Sequence, residues 1–600
     1  MCGIWFYLRL KSHSNNNNNN NGDVSEVSEA IKKRGPDRTV TKYLTFGQFE
    51  MDLSFHRLAI MDLSPLGDQP FSLTNARGDH IVLMCNGEIY GYKHLVAEFG
   101  LGDTLVSQSD CEVLIHLYDR LGLEGLYNVL SRRGDVSGEF AVVILHFSAD
   151  QQTLQVHYMR DFGGKRPLYV GEYQNPHGYD PFAMDFNALC LTSQLCGVPL
   201  PDYPFKMVQQ VPAATYGTYV VKVAESHIGT GTRCTERLED IPITIFDEAE
   251  ATAKIYDTFL QIVSDQMVSD RGEVAFMVSG GLDSSACACV GAHILKQKEQ
   301  KEQKEEKQEK QEKKQTKTKI KTICIGLEGG TDEAYARMVA AHIDSDHMHI
   351  LCAEEEFIAC AEHDITHVIE SYDITSNRAS VPQLVSARKI ASLTECKVVI
   401  VGDYADEVCG GYGETKYAPT TEAFAQRTHE LTNEIIYFDG ARVDRCVAGC
   451  GLEPRLPFGD HRFIRLYLSI DPALRQPRDG CEKYLFRKAF AGKGIIPEAV
   501  LWRPKEAFSD GVSAVKRSWY QIALDYFDQK YTAAQVEEAQ TRFPLNPPYT
   551  KESLHYRLKF NEKYSDTMAS VLPHFWLPKW GNVREPSARV LDVYTTKCLI

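Results

Sequence analysis

The chain lacks any apolar run of the roughly 18 residues that a membrane-spanning helix requires, so no helical span is expected. It also lacks a secretion signal: Ile4 to Leu8 is apolar but far too short, and no small-residue cleavage site follows. Basic residues are outnumbered, with Lys+Arg at 65 against Asp+Glu at 81, and the net charge of −16 excludes the basic footprint of a general nucleic-acid binder. None of the 17 cysteines forms a CxxC pair, which argues against a zinc site. Dispersed through a chain without a secretion signal, they read as reduced thiols, and the expected location is cytoplasmic. No Walker-type Gly-Lys-Ser/Thr is present, so the loop that cradles a transferred γ-phosphate is missing as well.

What is there is an ordinary globular composition, 43% hydrophobic and 24% charged, on a chain of 600 residues that is too long for one core. Residues 2–222 are rich in short β-type runs such as Ile81–Met84, Ala141–Leu145 and Leu154–Tyr158, separated by Gly and Asp turns. Residues 223–245 lack periodicity and read as a linker. In 246–600 apolar strands (Val274–Val278, Ile323–Gly326, Val398–Val401) alternate with helical patterns, which predicts a parallel α/β sheet with a mostly helical part after Thr420. Two low-complexity inserts interrupt this plan. Asn15–Asn21 reads as a flexible loop after a first strand, and 296–319, almost all Lys, Glu and Gln, as an expanded loop without a catalytic role. Pairs such as Glu306–Lys310 and Glu309–Lys313 also fit a solvated helix.

Strand Val274–Val278 runs into Ser279-Gly280-Gly281-Leu282-Asp283-Ser284-Ser285 and then a helical stretch. A strand, a double-glycine turn and a helix start collect several backbone N–H groups at one spot, reinforced by the helix dipole. The arrangement suits pyrophosphate, with Asp283 available for Mg²⁺. The alternative is an ordinary Gly-Gly turn. The heptapeptide resembles the pyrophosphate loop of the ATP pyrophosphatases. A second acidic loop, Gly402-Asp403-Tyr404-Ala405-Asp406-Glu407, follows the strand ending at Val401, and neighbouring strand ends line one crevice in such sheets. Asp403 and Asp406 are therefore candidates to share the metal, with helix capping as the alternative for Asp406.

Cys2 stands directly behind Met1. Removal of the methionine leaves one residue with a thiol and an α-amine of pKa roughly 7.7–8.0, a nucleophile with its own base. A buried inert cysteine is the alternative. In the same half stand Arg34-Gly35-Pro36-Asp37, His56-Arg57-Leu58-Ala59-Ile60, Cys85-Asn86-Gly87-Glu88-Ile89-Tyr90 and Ser109-Asp110-Cys111-Glu112. Arg57 can grip an α-carboxylate and Asp110 an α-ammonium. The Asn86 amide and Gly87 N–H can form an oxyanion hole. Taken singly, Asn86-Gly87 is also a hairpin signal and Arg57 a surface charge.

With these motifs the chain resembles the glutamine-hydrolysing asparagine synthetases, on their eukaryotic branch. The resemblance also rests on Tyr372-Asp373-Ile374-Thr375, Arg378-Ala379-Ser380, Glu453–Phe458, Asp460-His461-Arg462-Phe463, Trp502–Gly511, Pro578-Lys579-Trp580 and Pro586–Arg589. It implies an Ntn-type αββα sandwich for the glutamine amidotransferase at 2–222 and an ATP pyrophosphatase-type domain at 246–600. It further implies that Cys2 attacks glutamine, that Arg57, Ile60, Asn86, Gly87, Glu88 and Asp110 bind it, and that ammonia is channelled to a second site. There ATP adenylates the aspartate β-carboxylate and ammonia displaces AMP. By resemblance Ser279 to Ser285, Gly402 and Lys505 hold ATP, Asp283 and Asp406 hold Mg²⁺, and Thr375, Arg378, Asp439 and Arg442 lie by the aspartate. The resemblance also implies that Asp403 and Lys505 count among the catalytic residues, and it makes a homodimer the expected assembly.

Four positions depart from the family pattern. A glutamate near the ammonia step is here Asp403, one methylene shorter, and a glycine is Tyr404. The usual Ser-Glu is Ser193-Gln194, and a Thr-Pro is Val381-Pro382. The first two motivate a second reading, a glutaminase-competent regulatory homologue impaired in synthesis. A third is a related adenylating amidotransferase for another carboxylate.

Overall fold

The computed structural model describes residues 1–11, 21–173, 186–199, 205–309, 319–514 and 517–580. The Asn15–Asn21 insert, save Asn21, and the Pro586–Arg589 motif lie outside them. The chain divides into two compact units. The first comprises Met1–Arg237 with Val447–Leu452 and Lys559–Pro573; the second holds the remainder.

The first unit contains two six-stranded antiparallel sheets. Gly3–Leu10 is central in one, between Ala188–Thr192 and Phe49–Arg57. His80–Tyr90 lies in the other, paired with Ser137–Phe147 along its whole length. The period of two in these strands sorts their side chains: Val82 and Met84 face the first sheet, meeting Phe6, Leu8 and Phe55 in one core. Ile81, Leu83 and Cys85 point the other way, onto Leu114 and Leu117 of helix Val113–Arg132. This packing of sheet on sheet with helix outside agrees with the layered architecture that the family resemblance implies. Within the stretch read as a linker, Ile228–Thr235 instead forms an edge strand on Thr215–Lys222. Its two glycines and mostly exposed side chains hide the alternation that would have marked it.

The second unit is built on a five-stranded parallel sheet in the spatial order Asp346–Cys352, Lys321–Leu327, Val274–Met277, Val398–Ile400, Glu453–Arg455. The chain starts in the middle, fills one side, then returns to fill the other. Val274–Met277 and Val398–Ile400 therefore flank the switch point, where the loops at their carboxyl ends part and leave a crevice. The helix after the first strand runs from Leu282 to Glu309, so the start of the 296–319 insert is helical rather than an expanded loop. Lys, Glu and Gln are good helix formers, and a helix already nucleated by an apolar stretch extends through them at little cost. No helix of the described residues is long and apolar enough to cross a membrane, and every described cysteine is a free thiol.

Candidate functional site

In the first unit Cys2 sits at the entrance of the central strand of one sheet and reaches the other. Its backbone N–H donates to Asn86 Oδ1 at 3.0 Å, its thiol to the Leu58 carbonyl at 3.7 Å, and its carbonyl accepts from Arg34 Nε at 3.0 Å. Met1 is buried in place, so the nitrogen of Cys2 is here an amide and not a base. Asn86 is fully buried, and while its Oδ1 holds Cys2, its Nδ2 donor has no hydrogen-bond partner. An unmatched buried amide donor costs about 1–3 kcal/mol. Beside a thiol, it is positioned to receive a developing oxyanion. Gly87 is fixed by closeness: a Cβ there would stand 1.9 Å from the Glu139 carbonyl oxygen. Glu88, Asp110 and Ile60 are buried around this corner, and Asp110 Oδ2 accepts from the Ile89 N–H at 2.6 Å.

Arg57 is differently occupied from the sequence expectation. Its Nη1 donates to the Ser64 carbonyl and Asp68 Oδ1, both at 2.7 Å, and its Nη2 to the carbonyls of Met61 and Asp62. These four bonds use the four Nη hydrogens, so the guanidinium clamps the 61–68 loop, and a bidentate grip on a carboxylate requires exchanging them.

In the second unit the two strand-end loops meet at the switch point. A Cβ on Gly402 would lie 2.5 Å from Ser284 N, so only glycine lets the loops come this close. Ser284 Oγ accepts from Ser279 N at 3.1 Å and contacts Ser279 Oγ at 3.0 Å, which shapes the turn. Ser279, Gly281, Leu282, Asp283, Ser284, Gly402, Asp403 and Asp406 line one cavity with Asp439, Arg442 and Lys505; Gly280 and Ser285 lie outside its lining. Sequence reasoning missed the residue at its centre. Lys483 Nζ donates to both oxygens of Asp283 at 2.6 Å and to Asp406 Oδ1 at 2.7 Å, while Lys505 Nζ stands 2.5 Å from Asp406 Oδ2. Burial opposes ionisation of Asp406, but the two ammonium groups outweigh it and hold its pKa well below the usual range. Burial also opposes the charge on Lys483, and the two carboxylates more than offset that. Lys483 lies 200 residues from Asp283, and no local pattern links the two.

Asp403 does not join this cluster. Its Oδ1 accepts from Arg442 Nη2 at 2.6 Å, and Arg442 Nε lies 3.3 Å from Asp439 Oδ1. Burial raises the Asp403 pKa, with Arg442 working the other way. Tyr412, also unforeseen, donates from its hydroxyl to Glu407 Oε1 at 2.5 Å and lies 2.8 Å from Asp439 Oδ2. Burial, with Asp439 and Asp406 nearby, raises the Glu407 pKa well above the carboxylate range. Tyr404 takes a left-handed backbone conformation (φ 78°, ψ −16°) and its side chain is buried. Its hydroxyl lies 2.8 Å from where a Cβ of Gly440 would stand. A Cβ at 440 would also stand 2.9 Å from the Ile435 carbonyl oxygen, so glycine there leaves room for both groups.

Thr375 borders an alcove that shares Asp406, Asp439, Arg442, Lys505 and Phe508 with the first cavity. Arg378 borders neither. It is bound to Glu552 through Nε at 2.9 and 3.0 Å and Nη2 at 2.5 Å, and lies over the Tyr520 ring at 4.7 Å. The resemblance implies a place beside the aspartate; the structure shows a buried ion pair with Glu552. Among the described residues, no group of three or more His, Cys, Asp or Glu is arranged to hold a metal ion. The negative charge converging on Lys483 comes from two carboxylates.

Comparison with known proteins matches residues 1–222 to the glutamine amidotransferase domain family and residues 254–436 and 414–575 to the asparagine synthase family. The asparagine synthetase [glutamine-hydrolyzing] of Gallus gallus is 34% identical over 579 residues, 94% of this chain and 95% of its own length. That of Homo sapiens is 33% identical over 581 residues, with the same coverage. A probable asparagine synthetase [glutamine-hydrolyzing] of Acanthamoeba polyphaga mimivirus is 33% identical over 580 residues, 94% of this chain and 96% of its own.

Proposed function

The chain belongs to the glutamine-hydrolysing asparagine synthetases, and from that premise we propose how its residues divide glutamine-dependent asparagine synthesis between the two units. Once Met1 is removed, the Cys2 thiol adds to the side-chain amide carbonyl of glutamine and passes its proton through the α-amine to the departing nitrogen. The oxyanion forms where Asn86 Nδ2 has an unmatched donor, an interaction worth on the order of 3 kcal/mol in the transition state. Ammonia leaves, and water hydrolyses the thioester to glutamate. Glu88, Asp110 and Ile60 surround the substrate, and Arg57 holds the loop that frames it.

In the second unit ATP binds with its phosphates on the Ser279–Ser285 turn. Lys483 and Lys505 neutralise the charge that builds as pyrophosphate leaves. The aspartate β-carboxylate attacks the α-phosphorus, giving β-aspartyl-AMP and pyrophosphate, and ammonia channelled from the first site displaces AMP. Asp439 and Arg442 hold the amino acid. Mg²⁺ fits at Asp283 and Asp406, whose carboxylates already converge on one cation, and when bound with phosphates it supplies further charge neutralisation. Asp403, paired to Arg442, stands beside the aspartate rather than the phosphates.

The observation that carries this reading is the meeting of the two strand-end loops at Gly402, with Lys483 joining their carboxylates. The reading of an impaired regulator rests on Asp403 and Tyr404: Asp403 is paired to Arg442, and Tyr404 lines the cavity with its hydroxyl beside Gly440, so one experiment decides between that reading and an active synthetase. Incubation with amide-¹⁵N glutamine, aspartate and Mg-ATP is expected to yield ¹⁵N-asparagine with AMP and pyrophosphate. Glutamate release without asparagine would overturn it. A cytoplasmic location, supported by the dispersed cysteines, and a homodimer, supported by the family resemblance, complete the proposal and are tested by cell fractionation and by sedimentation.

A further inference from the structure

The alcove beside the ATP cavity is lined in part by Trp576 and Pro578, from a segment not used in the chemistry above. Thr375, Tyr412, Phe438, Asp439, Arg442 and Trp576 are among the residues that line it. We infer that the Trp576 indole is the end wall of the aspartate subsite and sets the length of the amino dicarboxylate that the synthetase accepts. The inference rests on the proposed placement of aspartate at Asp439 and Arg442.

The wall is held from several directions. The Trp576 N–H donates to Asp373 Oδ1 at 2.8 Å, and its carbonyl accepts from Thr375 Oγ1 at 3.3 Å. Asp373 is the N-cap of helix Ile374–Leu393, and its other oxygen accepts from Ser376 N and Oγ, both at 2.8 Å. One buried carboxylate thus starts the helix and anchors the wall. On either side, His574 Nε2 lies 3.1 Å from Glu434 Oε1, and Lys579 Nζ lies 2.8 Å from both oxygens of Glu430. The Lys579 N–H also donates to Glu414.

The indole faces the site through Tyr412. Their ring centroids are 5.2 Å apart at 53°, and the Tyr412 hydroxyl is the group bonded to Asp439 and Glu407. A tilted aromatic pair therefore lines the alcove beside Asp439, the residue proposed to hold the substrate. A wall of this kind discriminates by steric exclusion, and one methylene in such a pocket is worth roughly 10- to 200-fold in kcat/KM.

The test uses the full-length protein with ammonium as nitrogen donor, which bypasses the first site, and measures pyrophosphate release with aspartate and with glutamate. In Trp576→Ala the preference for aspartate over glutamate is expected to fall by about tenfold or more. KM for aspartate is expected to rise while KM for ATP stays within about twofold, and Trp576→Phe is expected to retain most of the discrimination. Equal loss toward both acids, or an unchanged preference in a variant that still turns over, would overturn the wall. The wild-type protein reports separately on the underlying reading: if aspartate elicits no pyrophosphate from it, the aspartate assignment fails and the wall with it.

Discussion

The Tyr404 hydroxyl occupies the space beside Gly440 where a Cβ would come within 2.8 Å, so these two positions are complementary in size. Tyr404 sits at a left-handed backbone position that costs a side-chain-bearing residue roughly 1–2 kcal/mol, yet burial of its ring compensates. Gly440→Val is expected to overpack the site by about 1–3 kcal/mol and to depress pyrophosphate release while leaving glutaminase activity unchanged. Adding Tyr404→Gly to that variant should recover part of both losses, the Ile435 carbonyl oxygen still lying 2.9 Å from the new Cβ. Thermal midpoints and initial rates of the two single variants and the double variant check the coupling; strictly additive losses would mean that the pair does not interact.

Cys2→Ala should abolish glutamine-dependent synthesis and spare synthesis from ammonium, since the residue serves the first site alone. Mass spectrometry of the wild-type protein should show Met1 removed, because the amide nitrogen now bonded to Asn86 Oδ1 cannot act as a base. Asn86→Ala should lower the glutaminase kcat by about 10²–10³-fold with a much smaller effect on KM. A larger change in KM than in kcat would assign Asn86 to binding.

The buried Lys483 neutralises two partly buried carboxylates at once. Replacing it by Met leaves Asp283 and Asp406 facing each other with Lys505 as their remaining near cation, and is expected to destabilise the unit by about 3 kcal/mol. Millimolar Mg²⁺ should then raise the thermal midpoint of Lys483→Met more than that of the wild type, because a divalent ion restores the missing charge. Equal responses to Mg²⁺ would argue that the two aspartates do not share a cation site.

Arg378 is read here as a stability residue. Arg378→Met strips a buried partner from Glu552, and about 3–5 kcal/mol of destabilisation is expected, with KM for aspartate in the folded fraction unchanged. A selective rise in that KM without loss of stability would return Arg378 to the substrate.

The parallel sheet and both strand-end loops were legible because a buried strand, a Gly-Gly turn and a helix start are local patterns. The same holds for the corner at Cys2, where Asn86 and Asp110 lie within short motifs. The components that the sequence did not reveal are defined by long-range contacts. Lys483 meets Asp283 across 200 residues, Trp576 meets Asp373 across 203, and Arg378 is claimed by Glu552 from 174 residues away. Strand Ile228–Thr235 looks like a linker in the sequence because an exposed edge strand carries little alternation. Residue type announces the chemistry of a side chain, whereas its partner is decided by the tertiary fold.

The anchor at His574 gives the C-terminal wall a defined dependence on pH. The hydrogen bond to Glu434 raises the imidazole pKa to about 9 from its ordinary 6.5 against a smaller opposing effect of burial. The folded-state value is the higher one, so the ion pair contributes fully below pH 6.5 and is lost as pH rises through about 9. The pair is half exposed, and solvent screening keeps its contribution small, so the wall should loosen at alkaline pH without unfolding, still held by Asp373. NMR titration of labelled histidine should place the His574 midpoint near 9, and Glu434→Gln should bring it back toward 6.5. A midpoint that does not move in Glu434→Gln would mean that the carboxylate is not what holds the proton, and that the wall depends on Asp373 and Lys579 alone.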